Sequence, residues 1–167
     1  MITLRLCTEN DVPQCMTFIR EAKAHQKAQG FTQWDDNYPT PSLLLGDVAL
    51  ARGYVIEADG VPAGYVCIDF GGEPAYDAIN GAWQTNQPYS VMHRLAIGDA
   101  ARGKGVSAAV FQLTKELSLS RDVHAVRADT HPANQKMQHI FLREGFVLCG
   151  EIIYEEGGLR LAYEWDF

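Results

Sequence analysis

Between Tyr89 and Leu119 the chain changes its period across one short loop. "YSVMHRLAI" alternates like a strand, and Val106, Ala109, Val110, Leu113 and Leu117 then recur at helical spacing. Only "GDAARGKG" separates the two. A strand running through a glycine loop into an amphipathic helix turns backbone N–H groups and a helix N-terminus toward one spot, which suits an anion. Gly103 and Gly105 let a ligand approach the main chain because no Cβ intervenes, while Arg102 and Lys104 add positive charge. A junction of this kind also commits the chain to a sheet with helices packed on it.

The loop admits two readings. Gly98, Gly103 and Lys104 satisfy G-x-x-x-x-G-K, the start of a nucleoside triphosphate loop. That loop needs Ser or Thr directly after its Lys to hold magnesium, and here the position is Gly105. The strand that follows, "VHAVRAD", breaks its apolar run with His124 and Arg127, a poor setting for a magnesium-binding aspartate. The alternative is R-x-x-G-x-S from Arg102 to Ser107, which approximates a loop for the diphosphate of an acyl carrier.

The remaining elements follow from pattern and punctuation. "ITLRLCT" alternates as a first strand, and a helix begins at Asn10 or Asp11 and stops at Gly30. "FTQWDDNYP" is a polar loop, after which Thr40 caps a second helix with Pro41 in its first turn. "GYVIEADGVPAGYVCIDF" is a hairpin turning at Asp59-Gly60. Residues 71–88 have no sustained period and are expected to form an irregular connection. "VHAVRADT" is a strand, "PANQKMQHIFLRE" a helix ended by Gly145, and two strands around Glu156-Gly157-Gly158 close the chain. The order is β-α-α-β-β-β-α-β-α-β-β. It predicts one α/β domain over residues 1–167, a mixed, mostly antiparallel twisted sheet flanked by helices on both faces.

The loop and its sequel resemble the GNAT superfamily of acetyltransferases. That family carries R/Q-x-x-G-x-G/A at a strand-loop-helix junction, then a strand, an Asn and a short helix ending in a G-F pair. Here the matching segments are "LAIGDAARGKGVSAAVFQL" and "VRADTHPANQKMQHIFLREGF", and the element order agrees over nearly the whole chain. The chain departs from the pattern at Ser107, where the family has Gly or Ala. It departs again at Phe141, where many members carry a Tyr that protonates the departing thiolate.

The resemblance implies an N-acetyltransferase that uses acetyl-CoA and no metal, with the acceptor amine attacking the thioester directly. It places the backbone of Leu95, Ala96 and Ile97 against the pantetheine arm and Arg102, Gly103, Lys104, Gly105, Val106 and Ser107 around the diphosphate. Asn134 and Phe141 fall to the same ligand, with a helix cap as the other reading of Asn134. An alkylammonium with a pKa of about 10.4 must lose a proton before it attacks. Strand alternation puts His93 on the face of Leu95 and Ile97. Some family members use a histidine at that position, so His93 is the first candidate base, against a hydrogen-bonded core histidine. Asp129 is the next alternative, with His131 and Glu73 after it. With Phe141 unable to donate, water, Tyr38 or Tyr89 can supply the last proton, since a thiol of pKa about 8.5 makes its thiolate only about 2 kcal/mol uphill at pH 7.

For the acceptor, "QWDDNYP" offers Trp34, Asp35, Asp36 and Tyr38, two carboxylates beside aromatics that suit an amine. The same letters describe a polar loop pinned by one buried Trp. Glu73, Tyr76 and Asp77 are further candidates for that wall. A catalytically idle acyl-CoA sensor or interaction module is the alternative function, and Phe141 is its argument.

Composition sets the expected partners. Fourteen basic residues against 21 acidic ones give a formal charge of -7, which disfavours nucleic acid and anionic membranes and leans toward a cationic small-molecule or peptide amine. Cys7, Cys15, Cys67 and Cys149 lack C-x-x-C pairing and sit in apolar segments, as reduced thiols of a cytoplasmic protein do. An edge strand near the C-terminus suits a homodimer.

Overall fold

Among the described residues, eight strands and four helices, with mostly antiparallel strand pairing, give the chain a mixed α/β fold. The computed structural model describes residues 1–156 and 158–167, so Gly157 of the expected final turn lies outside the described residues. The chain divides into two compact units, Met1–Ile68 with His93–Leu113 and Asp69–Met92 with Thr114–Phe167.

The first unit is built on β1 (Ile2–Leu6), α1 (Val12–Ala28), α2 (Pro41–Ala49), β2 (Gly53–Ala58) and β3 (Val61–Asp69). β1 pairs antiparallel with β2 from Ile2↔Ala58 to Leu6↔Tyr54, and β2 pairs antiparallel with β3. The β2–β3 turn has φ of 51° at Asp59 and 80° at Gly60, the double positive φ that matches the twist of a two-residue hairpin. α1 lays Val12, Cys15, Met16, Ile19 and Ala22 along one face, and these pack with Leu44, Val55, Tyr65 and Cys67 into one core. α2 starts as its sequence dictates: the Thr40 hydroxyl accepts from the Leu43 N–H at 3.2 Å, and Pro41 follows.

The second unit contains β4 (Asn80–Gly81), β6 (Ala125–Thr130), α4 (Gln135–Glu144), β7 (Val147–Ile153) and β8 (Leu159–Asp166). β8 lies between β6 and β7, antiparallel to both, and β4 adds to the far side of β7. β5 (Ser90–Ile97) and α3 (Val106–Leu119) each give part of their length to either unit. The start of β5 pairs parallel with β6 at Ser90↔Val126 and Val91↔Arg127.

The connection over residues 71–88 is more ordered than its composition predicts. It holds a 3-10 turn at Pro74–Ala78 and the strand β4. The reason is aromatic burial: Tyr76 is packed with Val91, Ile152 and Ala162, and Trp83 stacks on Tyr76 at 5.0 Å. Arg127 completes the anchor. Its guanidinium lies 4.1 Å from the Trp83 ring centre and 3.8 Å from that of Tyr89, and it donates to the buried Glu164 carboxylate at 2.5 Å and to the Thr85 carbonyl at 2.7 Å. All four cysteines are free and buried.

Candidate active site

The glycine loop belongs to the first unit. Gly103 and Gly105 have φ of 77° and 75°, a conformation that costs any residue with a Cβ about 1–2 kcal/mol. A Cβ built at either position meets nothing within 4 Å, so the protein leaves the space over the loop open. Gly103, Lys104 and Gly105 are exposed, Val106 is buried as the first residue of α3, and Ser107 is half-buried in its first turn. The first N–H groups of that helix have no carbonyl of their own to bind. Open space, left-handed glycines and a helix start are the features that a diphosphate-binding loop needs.

Arg102 does something the sequence does not announce. Its guanidinium folds back, donating to the Ile97 carbonyl at 2.9 Å and to Asp99 at 3.1 Å. The side chain thus clamps the loop onto the end of β5, with the Ile97 carbonyl as its acceptor.

β5 carries a second surprise. Arg94 has φ of 56°, the left-handed region in which a non-glycine residue inside a strand is strained. The alternation expected to put His93 on the face of Leu95 and Ile97 is interrupted there, so that argument for His93 does not survive; His93, Arg94, Leu95 and Ile97 are all half-buried, and Ala96 is buried. Arg94 is held by Asp47 of α2, which has no exposure and accepts from Arg94 at 2.8 Å, Arg52 at 2.8 Å and the Tyr65 hydroxyl at 2.6 Å. Burial and the Asp47 carboxylate push the Tyr65 phenol far above its ordinary value.

The same guanidinium reaches the acceptor-wall candidates. Arg94 Nη1 donates to the Tyr38 hydroxyl at 3.1 Å, which tethers the loop around Tyr38 to β5. Asp35 is exposed and accepts from the Asn37 N–H at 2.8 Å, a local turn. Asp36 is also exposed. Trp34 is corrected from wall to core: it is 8% exposed, packs in the first unit's core, and its backbone N–H donates to the Gln26 side-chain oxygen. An indole that large is worth more under the loop than on it.

The second unit holds the other candidates. Asp129, next to last in β6, is half-buried, and its Oδ2 accepts from the Tyr76 hydroxyl at 2.8 Å and the Tyr154 hydroxyl at 2.6 Å. Burial raises the Asp129 carboxyl above the usual carboxylate range, while Tyr154, Tyr76 and the charge of Arg160 pull against that rise. Tyr76 is 1% exposed, and burial followed by the Asp129 charge pushes its phenol well up. Glu73 caps the turn that carries Tyr76, accepting from the Ala75 N–H at 3.2 Å. His131 accepts from the Ala133 N–H through Nδ1 at 3.0 Å, and burial, then Arg160, lowers its pKa.

Asn134 is the cap of α4: its side chain accepts from the Met137 N–H at 3.1 Å. Phe141 is 3% exposed and packs between Phe146 and Tyr163, with ring centres 5.1 and 5.0 Å away. Sequence reasoning missed Tyr154 and Asp47. Asp47 had a signal, a lone carboxylate in the apolar "SLLLGDVALA". Tyr154 had none, because its contact depends on how β7 is placed beside β6 and β8.

Comparison with known proteins agrees with this geometry. The family model described as Acetyltransferase (GNAT) family matches residues 12–146. A GNAT family acetyltransferase structure from Streptococcus agalactiae is 33% identical, with a TM-score of 0.89 over 99% of this chain and 95% of that one. The PaiA N-acetyltransferase of Thermoplasma acidophilum, solved with coenzyme A, shares the fold at 12% identity, with a TM-score of 0.75 over 100% and 99% of the two chains. An aminoglycoside acetyltransferase solved with coenzyme A and kanamycin shares it at 21% identity, with a TM-score of 0.71 over 99% and 95%. Curated proteins give no significant sequence match. No helix among the described residues is long and apolar enough to cross a membrane. With the family model spanning most of the chain and the glycine loop inside its matched range, the chain belongs to the GNAT family of acetyltransferases.

Proposed function

We propose that the chain is an N-acetyltransferase that moves an acetyl group from acetyl-CoA to a primary amine of a small molecule or peptide. The observation that carries this is the loop from Arg102 to Ser107, whose left-handed glycines open onto unfilled space at the start of α3 in a GNAT family member. Bound there, acetyl-CoA supplies an activated thioester. The N–H groups of Gly103, Gly105, Val106 and Ser107 hold the diphosphate, and Lys104 adds charge from the exposed side. Arg102 acts on the loop itself, keeping it against β5. The main chain of Leu95 and Ala96 is assigned to the carrier arm by likeness to the family.

The acceptor is proposed to be an amine because Asp35 and Asp36 are exposed near Tyr38. The kanamycin complex of the aminoglycoside acetyltransferase, which shares this fold, supports a small-molecule acceptor. His93 and Asp129 are the two groups proposed for removing the ammonium proton. An idle acyl-CoA sensor is the second reading, favoured by the Phe141 ring that fills core space where many family members carry a phenol. A proton donor at the sulfur is dispensable on energetic grounds, and the enzyme reading stands first.

Two measurements test it. Thiol release from acetyl-CoA with 1,4-diaminobutane, glucosamine and triglycine should exceed the rate without protein; binding without turnover would select the sensor. Calorimetry should show coenzyme A binding that a magnesium chelator leaves unchanged, because Gly105 stands where a metal-binding hydroxyl belongs. Magnesium-dependent ATP binding tighter than that of coenzyme A would overturn the loop assignment.

A further inference from the structure

The carrier loop has an anchored base and an open tip. The tip, Gly103 to Gly105, is exposed, and a Cβ at either glycine meets nothing within 4 Å. The base, Gly98 to Arg102, is tied to its surroundings. The Gly98 N–H donates to the Ala63 carbonyl of β3 at 2.8 Å, and Arg102 donates to the Ile97 carbonyl of β5 at 2.9 Å. The remaining anchor is α1. A Cβ on the buried Gly98 would stand 2.7 Å from the ring of Phe18, so the main chain is seated directly on that ring. Three residues along α1, on the same face, Glu21 Oε2 accepts the Asp99 N–H at 2.8 Å.

That hydrogen bond fills a gap the local sequence leaves. Asp99–Ala101 is a 3-10 turn, and Gly98 before it has no side chain with which to cap it. A capping residue cannot stand at Gly98, because even its Cβ would collide with Phe18. The acceptor arrives instead from α1, 78 positions earlier in the chain. Asp99 is thereby fixed at three points: its N–H by Glu21, its carbonyl by the Arg102 N–H at 3.3 Å, and its carboxylate by the Arg102 guanidinium at 3.1 Å. Two left-handed glycines with no side chains cannot set the direction of the tip by themselves. The base sets it from one end and α3 from the other.

We propose that Glu21 is a positioning residue for coenzyme A: by capping the turn at Asp99 it fixes the loop's base on α1 and so aims the N–H groups from Gly103 to Ser107 at the diphosphate. This role rests on the acetyl-CoA reading above. Every residue it invokes lies in the first unit. The Glu21 hydrogen bond favours ligand binding, while its negative charge, of the same sign as a diphosphate, opposes it. Substitution separates the two. Gln keeps the acceptor oxygen and drops the charge, and Ala drops both, so the difference between the variants reads the hydrogen bond alone.

Calorimetry with coenzyme A tests this on wild type, Glu21→Ala and Glu21→Gln, well below each melting transition, where a change in global stability leaves Kd unmoved. Ala is a good helix former, so α1 should persist. Glu21→Ala should bind coenzyme A about three- to tenfold more weakly than Glu21→Gln, the size of one hydrogen bond. With the amine of the panel that releases thiol fastest, Glu21→Ala should raise KM for acetyl-CoA and leave kcat unchanged. Its kcat/KM for S-acetylpantetheine, which carries no diphosphate, should equal that of Glu21→Gln. Without ligand, the amide resonances of Asp99, Gly103 and Gly105 should shift in Glu21→Ala and return toward wild type in Glu21→Gln. If the wild type binds coenzyme A while the two variants bind it within twofold of each other, the role of Glu21 alone is overturned. An equal loss with S-acetylpantetheine also overturns it, leaving Glu21 a structural contact of α1. Wild type that does not bind coenzyme A overturns the reading of the loop, and the role of Glu21 with it.

Discussion

Asp47→Ala is expected to cost the protein about 3–5 kcal/mol, the price of leaving a buried charge without its partner. Asp47 has no exposure and accepts from Arg94, Arg52 and the Tyr65 hydroxyl, and the Arg94 side chain is only 7% exposed. Removing the carboxylate leaves the largely buried Arg94 guanidinium with only Tyr38 as its side-chain acceptor, beside a Tyr65 phenol that has also lost its acceptor. The damage should spread to β5, because Arg94 holds its left-handed φ of 56° against a strain that Asp47 offsets. Asp47→Asn, which keeps the shape and loses the charge, should fall between the two. Urea unfolding at constant m reads the loss directly. A midpoint for Asp47→Ala that corresponds to less than about 1 kcal/mol would mean that Arg94 finds solvent or another acceptor, and the pair would lose its place as the anchor of β5.

Gly105→Val is expected to weaken coenzyme A binding by at least about tenfold, with the fold retained. Two effects add. A β-branched residue resists the φ of 75° that Gly105 adopts, so the loop turns its N–H groups away from the ligand. The branched side chain also enters the open space in which a diphosphate would meet the main chain. Since a Cβ at this position meets no protein atom within 4 Å, any loss reports on loop conformation and ligand approach, not on a clash inside the protein. Gly105→Ala should lie between, carrying the φ penalty with less bulk. Calorimetry with coenzyme A and a melting curve separate affinity from stability. Wild-type affinity in a folded Gly105→Val would make the loop a plain strand-to-helix turn.

Much of this protein is written locally. The element order apart from β4, the Thr40-Pro41 helix start, the Asp59-Gly60 turn and the glycine loop all depend on residues within a few positions of one another, and each was legible from period and punctuation. The family resemblance rides on the same short-range features, which is why it was readable without a partner contact. The site chemistry is not local. Arg94 reads as an oddity in an apolar strand until α2 brings Asp47 to it across 47 positions, and only then does its strained φ have a cause. Trp34 and Tyr38 look alike as aromatics of one loop, yet the first lies in the core and the second faces Arg94. Tyr154 meets Asp129 only because β8 pairs with both β6 and β7 in fixed register, Asp129↔Ala162 on one side and Ile153↔Leu159 on the other. A one-residue slip in either ladder would turn those side chains to the opposite face. Sequence alone therefore determined the scaffold and the carrier loop, through backbone preferences that act over a few residues. Tertiary structure decided which carboxylate is braced and which arginine is neutralised, because those depend on strand register and helix packing between distant segments.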